Sequence, residues 1–214
     1  MSPTVNPARK YDASRRQEQA RATRRAVLAV ATRMFLDQGY AATTMNAVAE
    51  AAGVSVETIY KTIGKKPALV KACFDVAIAG DDEDLPIQER ESLLRVRSTT
   101  DPREKLRLYG EHMTGTMQRV GAILLAVRAA AATDAGARDV WAQLQEERLR
   151  GMTMLATSLK EIKALRKGVS VEEARDVLWV HNSVEVWDLL VNGRGWSNER
   201  YGKFVGAQLI AALL

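Results

Sequence analysis

The sequence predicts an all-α fold of about nine helices, and three observations carry that prediction. Apolar residues recur at three- and four-residue spacing from Val27 to Leu213. Ser, Thr or Asp stands just before most of these stripes, where a side-chain oxygen can cap the first free backbone N–H groups. No stretch alternates apolar with polar, and no segment repeats.

In chain order, residues 1–14 hold two prolines and no periodicity, and are expected to be a disordered leader. Arg15, Arg16, Arg21, Arg24 and Arg25 follow, either as a basic arm or as the solvated start of a helix. Val27, Ala31, Met34 and Phe35 mark a first amphipathic helix, with Gly39 as its stop. Thr44 caps a short second helix over Met45–Ala52. Gly53 makes a turn, and Ser55 caps a third helix running to about Ile63. Lys66-Pro67 opens a fourth, whose inward stripe is Leu69, Cys73, Val76 and Ala77 and whose end is Gly80. The acidic run Asp81–Asp84 reads as a solvated loop, and residues 88–97 as a short helical segment.

Asp101-Pro102-x-Glu104 is a capping box with proline at the first helical position. The stripe from Leu106 to Val120 follows, and Gly121 is expected to break it before a second apolar helix from Ile123 to Ala131. Asp134 caps the next helix, which Gly168 closes. Ser170-x-x-Glu173 opens another, expected to run to about Val191, and Ser197 caps the last. Val177–Val191 is apolar nearly all round, so it needs cover on both sides. Either a second subunit supplies that cover or the helix lies deep inside a monomer; the first is expected, with these last two helices as the faces of a homodimer.

The bulk numbers limit the function. The 214 residues are enough to bury a core without staples. A single cysteine, Cys73, excludes an internal disulfide and suits a reducing compartment. The N-terminus lacks the apolar region of a secretion signal, and the longest apolar run, Val120–Ala132, is interrupted by Arg128. A cytoplasmic protein with no membrane partner is expected. Residues 1–79 hold 12 Lys/Arg against 6 Asp/Glu, whereas the remainder holds 19 against 20. The positive excess therefore sits in the first third, where a polyanion partner fits best.

Within Thr43–Lys66 the inward positions are Val48, Ala49, Ala52, Val54, Ile59 and Ile63. Ala49 is small where two helices cross, and Gly53 tolerates the turn between them. This Ala-x3-Gly-x5-Ile spacing is a helix-turn-helix pattern. The outward face of its second helix shows Val56, Glu57, Thr58, Tyr60 and Lys61, a set suited to hydrogen bonding, stacking and charge. Lys65 and Lys66 stand at a helix N-terminus, where a cation costs about 0.3–1 kcal/mol against the macrodipole. A phosphate bound there reverses the sign.

Arg24–Ala77 resembles the N-terminal domain of the TetR family of bacterial transcriptional regulators. The matching run is Ala31-x3-Phe35-x3-Gly39-Tyr40-x2-Thr43-Thr44-Met45-x2-Val48-Ala49-x2-Ala52-Gly53-Val54-Ser55-x2-Thr58-Ile59-Tyr60-x5-Lys66-x2-Leu69. The resemblance divides the chain into a helix-turn-helix DNA-binding domain over 15–80 and a helical ligand-binding and dimerisation domain over 81–214. It implies phosphate contacts from Thr44, Thr58, Tyr60 and Lys66, and base contacts from Val56, Glu57, Lys61 and Ser55. The chemistry agrees: lysine donates to guanine, a carboxylate accepts from cytosine, and valine meets a thymine methyl. Three departures stand out. Glu57 occupies a position where a small residue or proline is frequent, and it either enters the groove or pairs with Lys61 at i+4. Ile63 replaces a frequent aromatic, and Lys65-Lys66-Pro67 replaces a frequent Ser-Lys-Glu.

The resemblance further implies an operator-bound homodimer, read as a repressor, that a small-molecule effector releases. Tyr109, His112, Met113, Met117, Arg128, Trp141, Met152 and Trp179 are the pocket candidates, being aromatic, thioether and a few polar groups. Plain core packing is the alternative for each apolar one. Catalytic and cofactor patterns are missing: His112 and His181 stand alone, and there is no phosphate loop, nucleophile elbow or dinucleotide motif. No enzyme, no metal and no cofactor is expected. A helical ligand-binding or interaction protein without DNA regulation is the competing reading.

Overall fold

The computed structural model describes residues 7–80 and 90–214, with side chains from Arg15 onward apart from that of residue 16. The described residues are helical with no strand, as the caps and stripes require. The acidic run at 81–84 and the first six residues lie outside the described ones. Two compact units divide the chain, Met1–Cys73 and Phe74–Leu214.

The first unit opens with α1 (Pro7–Ala42), so the expected leader is helical backbone from Pro7 onward. Gly39 interrupts α1 at φ 80° and ψ 173°, a conformation open to glycine alone, which is the stop its position suggested. Then come α2 (Met45–Ala51) and α3 (Val56–Thr62), each started by a hydroxyl cap. Thr44 Oγ1 accepts from Ala47 N at 3.1 Å, and Ser55 Oγ accepts from Thr58 N at 3.2 Å. Gly53 turns between them with φ 66°. α4 (Lys66–Ala79) begins in this unit and ends in the second. Val27, Leu28, Ala31 and Phe35 of α1 form the core with Val48, Ala49, Ile59, Leu69 and Cys73, all buried. Ala52, Val54 and Ile63 are half-buried at its edge. The Phe35 and Tyr40 rings stack across the Gly39 break with centroids 5.8 Å apart.

The second unit contains α5 (Glu91–Ser98), α6 (Pro102–Ala131), α7 (Ala135–Glu161) and α8 (Val171–His181), then α9 (Val184–Trp187) with a π-helical turn (Asp188–Asn192), and α10 (Asn198–Leu213). Asp101, Asp134, Ser170, Ser183 and Ser197 cap their helices through side-chain oxygens. α6 and α10 cross at backbone distance. A Cβ on Gly110 would stand 2.4 Å from the Gly202 carbonyl oxygen and 2.9 Å from Gly206 N.

Two expectations are corrected here. Gly121 does not break a helix, since α6 runs through it. It is glycine because the Trp187 ring lies on it, 2.7–2.9 Å from where a Cβ would be. Conversely, the helix expected to reach Val191 stops at Asn182. The Asn182 amide is buried and donates to Tyr109 Oη and, at 3.4 Å, to Met113 Sδ, while Ser183 Oγ restarts the chain by accepting from Val186 N at 3.3 Å. Of the ten large apolar side chains of Val177–Val191, Leu178, Val184 and Trp187 are buried within one chain and five more are half-buried. Val180 and Leu189 stay 51% and 67% exposed, leaving a contact surface unfilled by the chain itself.

Candidate nucleic-acid interface

On α3 the buried Ile59 points into the core. Glu57, Tyr60 and Lys61 are exposed and fall within about 100° of one another on the opposite side. Val56 lies at the edge of that arc, half-buried. Three of the four sequence-derived base-facing positions, Val56, Glu57 and Lys61, thus share this side with Tyr60, and the fourth, Ser55, is the N-cap of the helix. No ion pair joins Glu57 to Lys61 among the described residues, so the i+4 partnership offered for Glu57 is not made. Its carboxylate stays on the outer face.

The hydroxyls divide their work. Ser55 Oγ accepts from Thr58 N and also meets Thr58 Oγ1 at 3.0 Å, so both groups are committed to the start of α3. Thr44 Oγ1 accepts one backbone bond at the start of α2 and keeps its hydrogen to donate outward. Lys66 is half-buried. Its Nζ donates to the Ala41 carbonyl at 3.2 Å and lies 4.3 Å from the centroid of the Tyr40 ring. Sequence reasoning saw a misplaced cation at a helix start and missed this anchorage, which ties α4 to the end of α1. In sequence Arg24 is part of a basic run. Its Nη1 stands 3.5 Å from the Thr62 carbonyl oxygen, placing positive charge at the C-terminal end of α3.

In the second unit the eight pocket candidates separate. Tyr109, Met113, Met117 and Met152 are buried on α6 and α7. Tyr109 Oη donates to Met152 Sδ at 3.3 Å and accepts from Asn182. Burial pushes the Tyr109 phenol up to about 12. Trp179 lies beneath Arg148, whose guanidinium carbon is 4.3 Å from the ring centroid and whose Nη1 donates to the Trp179 carbonyl at 2.6 Å. The Trp179 indole N–H is buried without a partner. His112 sits between Ser92 Oγ (3.0 Å from Nδ1) and Thr116 Oγ1 (3.2 Å from Nε2). Arg128 is spent elsewhere, in an ion pair 3.2 Å from Glu185, and Trp141 is half-buried. A hollow of about 520 Å³ on α8 is lined by Glu173, Asp176, Val177, Val180 and His181, none of them a candidate.

Sequence reasoning passed over Asn182, Arg148, Lys105 and Arg119. Arg148 carried a signal, because it falls in the inward stripe of Leu144 and Met152. Lys105 carried the same signal beside Tyr109. It is 2% exposed and donates to the Val96 and Arg97 carbonyls at 2.8 and 3.2 Å, closing the C-terminal end of α5. Arg119 does likewise for α4, reaching the Ala77 and Ile78 carbonyls at 2.9 and 3.4 Å. Among the described residues no three His, Cys, Asp or Glu gather as a metal site, and no helix is long and apolar enough to cross a membrane.

A small helix-turn-helix unit whose second helix carries an outward face of hydrogen-bonding and cationic side chains has the build of a DNA-binding head. Residues 27–73 match the family model described as bacterial regulatory proteins, tetR family. The match covers the helix-turn-helix head, which resembles the DNA-binding domain of that family. Similar solved structures extend the likeness of fold over about nine-tenths of the chain. A protein described as a TetR-family transcriptional regulator from Rhodococcus sp. is 15% identical, with a TM-score of 0.69 over 90% of this chain and 98% of that one. The fatty acid degradation regulator FadR from Bacillus halodurans is 16% identical, with a TM-score of 0.69 over 88% and 94%. A protein described as a transcriptional regulator from Saccharomonospora viridis in complex with choline is 16% identical, with a TM-score of 0.64 over 89% and 96%. No curated protein matches the chain.

Proposed function

We propose that the chain is a repressor that binds a palindromic operator as a homodimer and leaves it when a small molecule binds the helical unit. The observation that carries this is the α3 face, where Glu57, Tyr60 and Lys61 stand exposed together between Thr44 at the start of α2 and Lys66 at the start of α4. Thr44, Thr58, Tyr60 and Lys66 take phosphates, and Val56, Glu57, Lys61 and Ser55 approach base edges. For Ser55 and Thr58 that role is shared with capping. Support for two copies comes from Val180 and Leu189, large apolar side chains left outside on neighbouring elements, together with Met154 at 54% exposure. A two-fold axis would cover them with the same patch of the partner.

The effector region is centred on Tyr109, Met113, Met152 and Asn182, with Arg148 and Trp179 beside it. Thioethers and rings around a few fixed polar groups suit a largely apolar ligand with one or two hydrogen bonds. Release requires that the ligand prefer one spacing of the two reading heads over the other.

The test is binding to the intergenic DNA beside the chain's own gene, titrated with salt and then with small aromatic and apolar compounds that raise its melting temperature. A dimer making roughly 6–10 phosphate contacts gives a steep salt dependence. Absence of any sequence-specific complex overturns the regulator mechanism in favour of a ligand-binding protein without a DNA role.

A further inference from the structure

The polar groups around Tyr109 are donors with little to receive them. Tyr109 Oη donates to a thioether, Met152 Sδ, at 3.3 Å. The Asn182 amide donates to Tyr109 Oη and, at 3.4 Å, to a second thioether, Met113 Sδ. Sulfur is a weak acceptor, so these bonds occupy the donors without satisfying them well. The buried Trp179 indole N–H has no partner among the described residues. Tyr201 Oη turns away to the His181 carbonyl at 3.3 Å.

Arg148 brings a positive charge to these donors. Its Nε and Nη2 share Gln145 Oε1 at 3.2 and 2.7 Å, and Nη1 reaches the Trp179 carbonyl at 2.6 Å. Those acceptors are neutral, and one N–H on each terminal nitrogen is left to donate among the described residues. The charge of Arg148 acts on both the Tyr109 and the Tyr201 phenols. Burial draws the guanidinium below its ordinary range, against the pull of Glu185. The Glu185 carboxylate makes its ion pair with Arg128 instead, at 3.2 Å. A half-buried cation among neutral groups favours an anion that can join it.

We propose that this cluster takes the carboxylate of a monobasic organic acid, with the Arg148 guanidinium and the Tyr109 hydroxyl as its donors and an apolar body against Met113 and Met152. This rests on the effector reading above and names the chemistry of that effector. A carboxylate is planar and accepts through two oxygens, which suits two N–H groups on one guanidinium. It also gives Tyr109 and Asn182 an oxygen acceptor in place of sulfur. Arg148 is the cation that acts on both phenols, so a monoanion balances the cluster and a phosphate dianion leaves a charge unmatched. The unbranched thioether side chains can repack around an apolar body.

The full-length chain is titrated by calorimetry with octanoate and 4-phenylbutyrate, with the amide and the alcohol of each, and with octyl phosphate. Each acid is expected to bind at least about tenfold tighter than its own amide. Arg148→Gln should remove that preference while leaving the amide's affinity near its wild-type value, and Tyr109→Phe should reduce it several-fold. Arg148→Lys keeps a charge but loses the planar pair of donors, so it should retain only part of the preference. The acid-to-amide ratio does not move if Arg148 only supports packing, and Tyr109→Phe carries the test should Arg148→Gln fail to fold. An amide or alcohol that binds as tightly as its acid overturns the proposal. So does an acid preference that survives Arg148→Gln, or octyl phosphate binding tighter than octanoate. Neutral or cationic aromatic compounds that bind and release DNA where both acids fail also overturn it, and leave the effector reading intact. Acids that bind through Arg148 without releasing DNA uphold this inference and remove the release mechanism. If no compound of any charge class binds, this inference and the effector reading fail together.

Discussion

Gly121→Ala separates two meanings of a mid-helix glycine. If Gly121 were merely a weak point in α6, alanine would stabilise the helix by roughly 0.8–1 kcal/mol through propensity alone. The packing argues the opposite sign. The new Cβ would stand 2.7, 2.8 and 2.9 Å from Cζ3, Cη2 and Cε3 of Trp187. The ring cannot easily retreat, since its Nε1 donates to Asn198 Oδ1 at 2.8 Å and the side chain is only 7% exposed. Forcing a methyl into such a contact costs about 1–3 kcal/mol, with the rigid ring favouring the upper half of that range. Net of propensity, a loss of about 1–2 kcal/mol remains, equivalent to a fall of roughly 5 °C in the melting temperature of a body this size. Thermal unfolding followed by circular dichroism measures it. Trp187→Phe makes room, so the double variant should recover part of the single variant's loss, a coupling that independent sites do not show. A higher melting temperature for Gly121→Ala would refute the packing account and restore the sequence-based reading of a helix weakened by its glycine.

Other consequences are as direct. Lys66→Ala should weaken binding to every duplex alike and lower stability by about 1 kcal/mol, through the lost Ala41 bond and Tyr40 contact. Lys61→Ala, exposed on α3, should leave stability unchanged and relax preference at one base position in a binding-site selection. The His112 imidazole is pushed down to about 4, first by burial and then by the Arg119 charge, so between its ordinary 6.5 and about 4 the unfolded chain binds the extra proton. Stability from this group is therefore full above pH 6.5 and falls as the pH drops towards 4, at up to about 1.4 kcal/mol per unit. His112→Gln should flatten that acid limb in melting curves. Cys73 is raised to about 11 by burial and donates to the Leu28 carbonyl at 3.7 Å. Thiol reagents should thus label it only as fast as the first unit opens, and the labelling rate should rise with denaturant in step with unfolding.

The head was legible because its determinants are local. Thr44 and Ser55 cap the backbone three residues on, and Gly53 needs only its own φ of 66° to make the turn. The inward positions Val48, Ala49 and Ile59 follow from helical period alone. The larger unit resists the same treatment because its glycines and polar residues answer to partners far along the chain. Gly39 and Gly121 both follow an apolar stripe. One breaks its helix, and the other stays helical and is glycine because a tryptophan from another element rests on it. Asn182 sits within an apolar run, and only Tyr109, from α6, explains why the chain stops there to bury an amide.

The candidate site shows the same division at finer scale. Spacing placed Lys66 at a helix start. It did not foretell that Tyr40 and Ala41 would hold its ammonium, so the side chain is both a strut and a phosphate candidate. Glu57 and Lys61 have ideal i+4 spacing yet make no ion pair, as solvation of two exposed charges competes with a pairing worth only about 0.3–0.5 kcal/mol. Left outward, the Glu57 carboxylate repels phosphates wherever it has no donor opposite it. A cytosine amino group is the donor a DNA groove offers, and other bases leave the charge unmatched. On the proposed DNA-binding reading, Glu57 is expected to act more by penalising wrong sequences than by strengthening binding to the right one, which is how a destabilising charge on a reading face contributes to specificity.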